Sequence, residues 1–399
     1  MIVALPATAG QGPPVSIPTP LTYEAALAVA TSRNLNIEAA RRQRAIRQAS
    51  IRTARQVPNP IASFGIGHDT PHEVFGLDVP VELGGKRNRR IDLANQELTL
   101  ADVDLQTELR AVRRELRQAF YSLIAAGERL TIAEAVLDIA MRLRDGAQAR
   151  FDTGAAPRLE VLQADLGVTR AETDLDLARS IRASEQARLN AVLNASPDQA
   201  LVTSGSLSDR RSTITYQQAL TLAVASNTDM VSLDRHIAIE ERRVDLLRAE
   251  RVPTPVFSFS GLFNSEPDFN AGSRAAISIE LPIFSRNQGE IAASVATTAG
   301  LRIKRDATRR SVENDVFGTV AKIDAERRQV EAYEQRLVPT AINLESLAEE
   351  SYRAGRTSVL AVLDAQRSLR DLRRDALQAA LDLQMSLADL EELLGTPLP

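Results

Sequence analysis

The chain has 399 residues, 44% hydrophobic and 25% charged, and a net charge of −4. That is the composition of a folded protein and excludes a polycationic nucleic-acid binder. There is no Cys, which removes thiol catalysis, thiolate metal sites and disulfides together, and Trp is absent with aromatics at 4%, which favours a helical body over a large β-sandwich.

In chain order, Met1–Gly10 is apolar and small-residue-rich. Ala7-Thr8-Ala9 resembles the end of a secretory signal, but a basic n-region and a full apolar h-region are missing, so a truncated start and a plain tail both remain open. Pro13 to Pro20 reads as an extended lead-in, making 1–21 a leader remnant. A helix is expected from Thr22 to Arg55, with Arg41, Arg42, Arg44, Arg47, Arg52 and Arg55 on a solvated face, and Pro58 and Pro60 stop it. Two short strands follow. No Pro occurs between Pro80 and Pro157, so a helix of about 60 residues, about 90 Å long, is expected there. Leu109, Leu116, Leu123, Leu130 and Leu137 recur every seven residues, with Val112, Ala119, Ala126, Ala133 and Ala140 three places on. That is a knobs-into-holes seam whose small positions let a neighbouring helix approach. A Gly-centred turn at Gly154 leads into the next helix. Near the C-terminus, Leu369, Ala376, Leu383 and Leu390, with Leu372, Ala379, Ser386 and Leu393, repeat the seam.

The second half restates the first. Thr22-Tyr23-Glu24-Ala25-Ala26-Leu27 returns as Thr215-Tyr216-Gln217-Gln218-Ala219-Leu220, and Val57-Pro58-Asn59-Pro60 as Val252-Pro253-Thr254-Pro255. Phe151-Asp152-Thr153-Gly154 returns as Tyr352-Arg353-Ala354-Gly355, and Val161-Leu162-Gln163-Ala164 as Val362-Leu363-Asp364-Ala365. A shared order of matches, about 200 residues apart, indicates an internal duplication. The expected organisation is a first repeat over 22–209, a joining segment at 210–214 and a second repeat over 215–397. The second repeat should hold a helix at 215–250, strands near 255–264 and 274–284, and helices from about 289 to 394. The fold class is mainly α with a small β part.

The strands alternate. In 74–83, Phe75, Leu77, Val79, Val81 and Leu83 oppose Gly76, Asp78, Pro80 and Glu82. In 274–283, Ala275, Ile277, Ile279, Leu281 and Ile283 oppose Ala276, Ser278, Glu280 and Pro282. Phe257, Phe259 and Phe263 alternate with Ser258 and Ser260, and Phe64 and Ile66 with Ser63, Gly65 and Gly67. Runs of about ten residues suit tilted membrane-crossing strands, with Asp78, Glu82 and Glu280 facing a wet lumen. Two half-buried soluble hairpins would show the same alternation. Four strands cannot close a barrel, and open edges cannot survive in hydrocarbon, so a membrane form requires several chains to share one barrel.

These features together resemble the TolC family of outer-membrane efflux channels, over about residue 20 to the end. The carriers are the duplicated helix–strand–strand–helix–helix plan, the Val57-Pro58-Asn59-Pro60 lead into a strand, and the Arg150-Phe151-x-x-Gly154 and Tyr352-x-x-Gly355 turns. Leu77-Asp78-Val79-Pro80-Val81-Glu82-Leu83-Gly84-Gly85-Lys86-Arg87 is similar to the cobalt–zinc–cadmium and copper–silver resistance (CzcC/CusC-like) branch. The resemblance implies a homotrimer in outer-membrane lipid, with one twelve-stranded barrel and a periplasmic tunnel of helices. It also implies a periplasmic adaptor, an inner-membrane resistance-nodulation-division (RND) pump, and heavy-metal cations as cargo. It makes the two Gly turns the periplasmic tip, with Arg150, Asp152, Gly154, Tyr352, Arg353, Gly355 and Arg356 available for gating or adaptor contact. Asp364 matches a constriction-lining position, while the companion acid one turn earlier is Ala361, so a double acidic ring is incomplete.

No enzyme motif, cofactor site or metal site is expected. His68 and His72 flank Pro71 in a hairpin turn, His236 reads as a surface or packing residue, and the four Met are scattered. The alternatives are a drug or organic-solute channel of the same family, and a soluble periplasmic coiled-coil adaptor or scaffold.

Overall fold

The computed structural model describes residues 17–208, 214–265 and 269–396. The leader-like Met1–Gly10 and Arg210–Thr213 of the joining segment lie outside the described residues. The first half runs α1 (Tyr23–Arg33), α2 (Leu35–Ala54), β1 (Ile61–Ile66), β2 (Glu73–Pro80), α3 (Lys86–Asp152) and α4 (Arg158–Val192). The second runs α5 (Tyr216–Ser226), α6 (Thr228–Ala249), β3 (Pro255–Ser265), β4 (Phe269–Ile279), α7 (Gln288–Ala332), a π-helical turn (Tyr333–Leu337), α8 (Val338–Arg353) and α9 (Val359–Leu394).

The opening helix of each half is two helices, not the single one expected. Asn34 Oδ1 accepts from the N–H groups of Asn36 (3.0 Å) and Ile37 (3.4 Å), and Asn227 Oδ1 from those of Asp229 (3.0 Å) and Met230 (3.3 Å). Each Asn thus caps a new helix start and breaks the run. The repeated Thr-Tyr also has a local use. Thr22 Oγ1 accepts from Ala25 N, while Thr215 and Gln218 bond reciprocally as a capping box. Each Tyr then meets an aromatic of its long helix, Tyr23 against Phe120 and Tyr216 against Phe317, with ring centroids 5.8 and 5.4 Å apart.

The long helices differ between halves. α3 is unbroken for 67 residues. The helix expected from about 289 is interrupted by the π-helical turn, because Pro339 has no N–H to offer the Gln335 carbonyl. With Gly154 aligned on Gly355, the first half carries Asp138 at this place, and its helix runs on.

The four described strands form one antiparallel sheet in the order β1-β2-β3-β4, with β1 and β4 as edges. Its register sorts most residues by type. Phe64 lies opposite Phe75, Leu77 opposite Phe259, and Phe257 opposite Ile277. Ser63 lies opposite Gly76, Asp78 opposite Ser258, and Ser260 opposite Arg274. One face is therefore mainly aromatic and aliphatic and the other mainly small and polar, apart from Glu73, opposite Ile66 and Phe263 on the first, and Leu262, opposite Val74, on the second. The ladder ends sooner than the alternation suggests, at Pro80 and at Ile279, three residues before Pro282; β4 begins earlier than expected, at Phe269. Proline at these ends supplies no ladder donor.

The chain divides into two compact units: Met1–Glu38 with Glu108–Ala225 and Val312–Pro399, and Ala39–Thr107 with Ser226–Ser311. Both halves of the sequence contribute to each. The second unit contains the sheet. In the first unit the heptad seam is buried at Val112, Leu116, Ala119, Leu123, Ala126 and Ala140. Each buried Leu of this kind contributes about 2 kcal/mol. α9 lies antiparallel to α3, as the pairs Arg114–Glu392 (2.7 Å) and Arg129–Gln378 require. Within this packing Arg117, 2% exposed, bonds Gln384 (3.1 Å) and Glu391 (2.8 Å). Gln384 Nε2 donates to the Leu207 carbonyl at 2.6 Å, which ties the segment after α4 to the core.

Candidate functional site

The two helix hairpins turn in the same way. Gly154 and Gly355 have φ of +73° and +71°. Gly154 N donates to Phe151 O (2.9 Å) and Ala155 N to Arg150 O (2.8 Å). In the second hairpin Gly355 N donates to Tyr352 O (2.8 Å) and Arg356 N to Ser351 O (2.9 Å). This double bond pattern is a Schellman motif, which ends a helix with a left-handed residue and satisfies its last carbonyls. Only glycine adopts that φ without strain.

Between the hairpins the structure brings together α3, α4, α8 and α9. Tyr352 is 6% exposed and belongs to a cluster with Leu143, Val359, Val362 and Leu363. The Arg150 guanidinium lies 4.7 Å from the centre of the Tyr352 ring, and the phenol donates to Glu160 Oε2 at 3.5 Å. Burial pushes the phenol pKa up, with Arg150 pulling the other way, so Tyr352 stays neutral at physiological pH. Tyr352 is thus an internal residue beside the second Gly turn, held by Arg150 and Glu160, rather than a free surface group.

The other residues expected at the tip lie apart from that cluster. Asp152 is exposed and accepts from Gln148 Nε2 at 2.7 Å. Arg353 pairs with Glu349 one turn back. Arg356 is exposed. Asp364 is exposed and lies 3.4 Å from Arg367, beside an exposed Ala361. Glu160 and Val359 were not singled out in the sequence, and Val362 only as a marker of the duplication. Their signal was slight: an acid in the first turn after Pro157, and apolar spacing continuing past the turn.

On the sheet, Asp78 alone of the three expected lumen carboxylates sits in a strand, on the polar face. Glu280 lies one residue past β4. Glu82 lies past β2, where Arg90 holds both of its oxygens, one at 3.0 Å. That bond lowers the Glu82 pKa below its usual value. The opposite face presents Phe64, Ile66, Phe75, Phe259, Ile277 and Ile279, all exposed, a surface matched to hydrocarbon rather than water. His72 Nδ1 lies 3.3 Å from Gly67 O in the β1–β2 turn. Among the described residues no helix is long and apolar enough to cross a membrane, and no cluster of three or more His, Asp or Glu side chains could hold a metal ion.

The family model "Outer membrane efflux protein" matches residues 26–195 and 219–396. The chain is 27% identical to the cobalt-zinc-cadmium resistance protein CzcC of Cupriavidus metallidurans, over 94% of this chain and 90% of that protein. It is 25% identical to the pyoverdine export outer membrane protein OpmQ of Pseudomonas putida, over 78% of this chain and 67% of that protein. A solved structure of CusC, described in terms of transmembrane channel formation, superposes with a TM-score of 0.78 at 17% identity, covering 94% of this chain and 92% of that one. The chain therefore belongs to the outer membrane efflux protein family: it is the outer-membrane channel of a tripartite efflux system, with a periplasmic helical extension, and not an enzyme.

Proposed function

We propose that three copies of this chain form a passive exit duct for heavy-metal cations, completed by a periplasmic adaptor and an inner-membrane RND pump. Each repeat, 22–209 and 215–397 joined through 210–214, would give two strands to one twelve-stranded barrel and helices to one tunnel. The observation that carries the reading is the sheet: sorted into an apolar and a polar face, with two open edges that hydrocarbon does not tolerate. Exposed apolar stripes support the assembly. Leu159, Leu162 and Leu166 lie on α4, and Leu337, Leu344 and Leu347 on the π turn and α8. Two different stripes on one chain suit a head-to-tail contact that closes into a ring. In that ring Asp78 would face the lumen, while the tip would gate the tunnel through Arg150, Tyr352 and Glu160. Asp152, Arg353, Arg356 and Asp364 would be available to neighbouring copies and to the adaptor.

Metal cargo is supported by the similarity to CzcC across nearly the whole chain. The similarity to the pyoverdine export protein OpmQ favours a second reading, export of a drug or organic solute through the same architecture. Deleting the gene and scoring growth against zinc, cadmium, cobalt, nickel, copper and a set of organic toxicants separates them. Sensitivity confined to the organic compounds would overturn the metal assignment and leave the channel standing.

A further inference from the structure

The apolar strand face does not stop where the ladder stops. Val81, Leu83, Leu281 and Ile283 continue its row past the strand ends and are exposed, and Phe284 is 91% exposed. Directly beyond, the charge changes. Residues 52–58, 81–92, 247–254 and 280–290 hold nine basic and five acidic side chains, on a chain whose overall charge is −4. These segments meet: Gly84 lies against Val252, with no room for a side chain, and Lys86 Nζ donates to Thr254 Oγ1 at 2.6 Å.

Three guanidinium groups here are held in the same way. Arg87 Nε donates to the Arg55 carbonyl (2.8 Å), Arg251 Nε to the Arg286 carbonyl (2.8 Å), and Arg286 Nε to the Pro282 carbonyl (3.1 Å). Each bond fixes the plane of the group and leaves its two Nη amino groups without a partner among the described residues. That fork is what takes two oxygens of a phosphate. Nearby acids are largely engaged. Glu82 is held by Arg90, Asp92 lies 3.8 Å from Arg89, and Glu250 accepts from Asn287 Nδ2 at 3.4 Å. Glu280 and Glu290 remain, too few to neutralise the surface.

We infer that this strand–helix junction binds anionic phospholipid headgroups of the periplasm-facing leaflet. The guanidinium forks take the phosphate, and Phe284 with its aliphatic neighbours takes the adjoining acyl region. The inference rests on the outer-membrane placement and is independent of copy number and cargo. A free anion would gain nothing from the apolar flank, which is why a lipid fits better than inorganic phosphate. A zwitterionic headgroup would gain little from the net positive charge.

The test uses the purified full chain in mild detergent. Affinity is read from lipid retained in native mass spectrometry and from thermal stability, on titration with phosphatidylglycerol, phosphatidylcholine or inorganic phosphate. Phosphatidylglycerol should bind at least about tenfold more tightly than phosphatidylcholine, and phosphate should leave stability unchanged. The triple variant Arg87→Gln, Arg251→Gln and Arg286→Gln should lose about a hundredfold in phosphatidylglycerol affinity, roughly fivefold per charge, with phosphatidylcholine unaffected. Phe284→Ser should weaken both lipids. If the triple variant lacks the heat-sensitive barrel band on gels, the Arg→Lys triple replaces it. It should keep the preference for the anionic lipid but bind it less tightly, because the fork is lost. Equal affinity for the two lipids, stabilisation by phosphate matching that by phosphatidylglycerol, or wild-type phosphatidylglycerol binding by a folded triple variant would each overturn the inference.

Discussion

Tyr352→Leu is the sharpest test of the proposed gate. In the structure the ring fills a buried cluster on α3, α8 and α9, beneath the Arg150 guanidinium at 4.7 Å and with its hydroxyl 3.5 Å from Glu160. Leucine keeps most of the apolar volume but loses the cation–π contact, worth about 1 kcal/mol with the ring buried and Arg150 partly exposed, and the long hydrogen bond, worth at most about 0.5 kcal/mol. The packed arrangement therefore loses roughly 1–1.5 kcal/mol per chain. If three copies open together the losses add to about 3–4 kcal/mol, more than a hundredfold in the ratio of shut to open channels. Tyr352→Phe keeps the ring over Arg150 and should shift that ratio by about tenfold at most. Asp364→Ala removes the exposed carboxylate expected at the constriction and should also raise conductance. Planar-bilayer recording of folded, inserted protein reads all three. Unchanged conductance in both Tyr352→Leu and Asp364→Ala would refute a gating role for these residues.

Three further outcomes follow from the geometry. Phe259→Arg places a charge on the apolar face and should cost about 2–4 kcal/mol near the membrane midplane, whereas Ser258→Arg on the polar face should be tolerated. The heat-sensitive barrel band on gels distinguishes them. Glu82 is stabilised by Arg90 as a carboxylate, so its contribution is present above the usual pKa of 4.5 and is lost as pH falls through the lower folded value. Thermal melting of Glu82→Gln should accordingly depend less on pH below about 4.5 than that of the wild type. Arg117→Ala removes the cation 2.8 Å from the nearly buried Glu391 together with the donor to Gln384 Oε1, and should cost about 3–5 kcal/mol in chemical denaturation.

Features governed by a few neighbouring residues were legible in the sequence. Gly154 and Gly355 announced the turns because only glycine takes their φ at no cost, and the Leu/Ala heptads announced the buried seam of α3. The breaks at Asn34 and Asn227 were also present in the letters, yet the apolar spacing resumes beyond each Asn and conceals a cap inside a longer run. Pro339 could have signalled the π-helical turn. It went unread because a helix absorbs one missing N–H by widening locally rather than ending. Strand ends were misplaced for a different reason. Val81, Leu83, Leu281 and Ile283 keep the apolar alternation past the strand ends at Pro80 and Ile279, since a membrane-facing surface continues where regular pairing does not. The position of Tyr352 was beyond any local window: its partner Glu160 is 192 residues away, and their meeting depends on how separate helices converge.

The open sheet edges bear most directly on how this channel works. An outer-membrane channel must keep every strand N–H and C=O in hydrocarbon bonded to protein, yet β1 and β4 each pair on one side only among the described strands. Four strands also fall well short of the eight needed merely to enclose side chains. In the proposed assembly, pairing β4 of one copy with β1 of the next would cover both edges and keep the apolar faces contiguous, so that the polar faces line a common interior. In the proposed ring, membrane insertion would be coupled to assembly: a lone copy would expose unpaired backbone, a cost that falls only when the ring closes. A preparation that inserts stably into bilayers as a single copy would contradict this coupling.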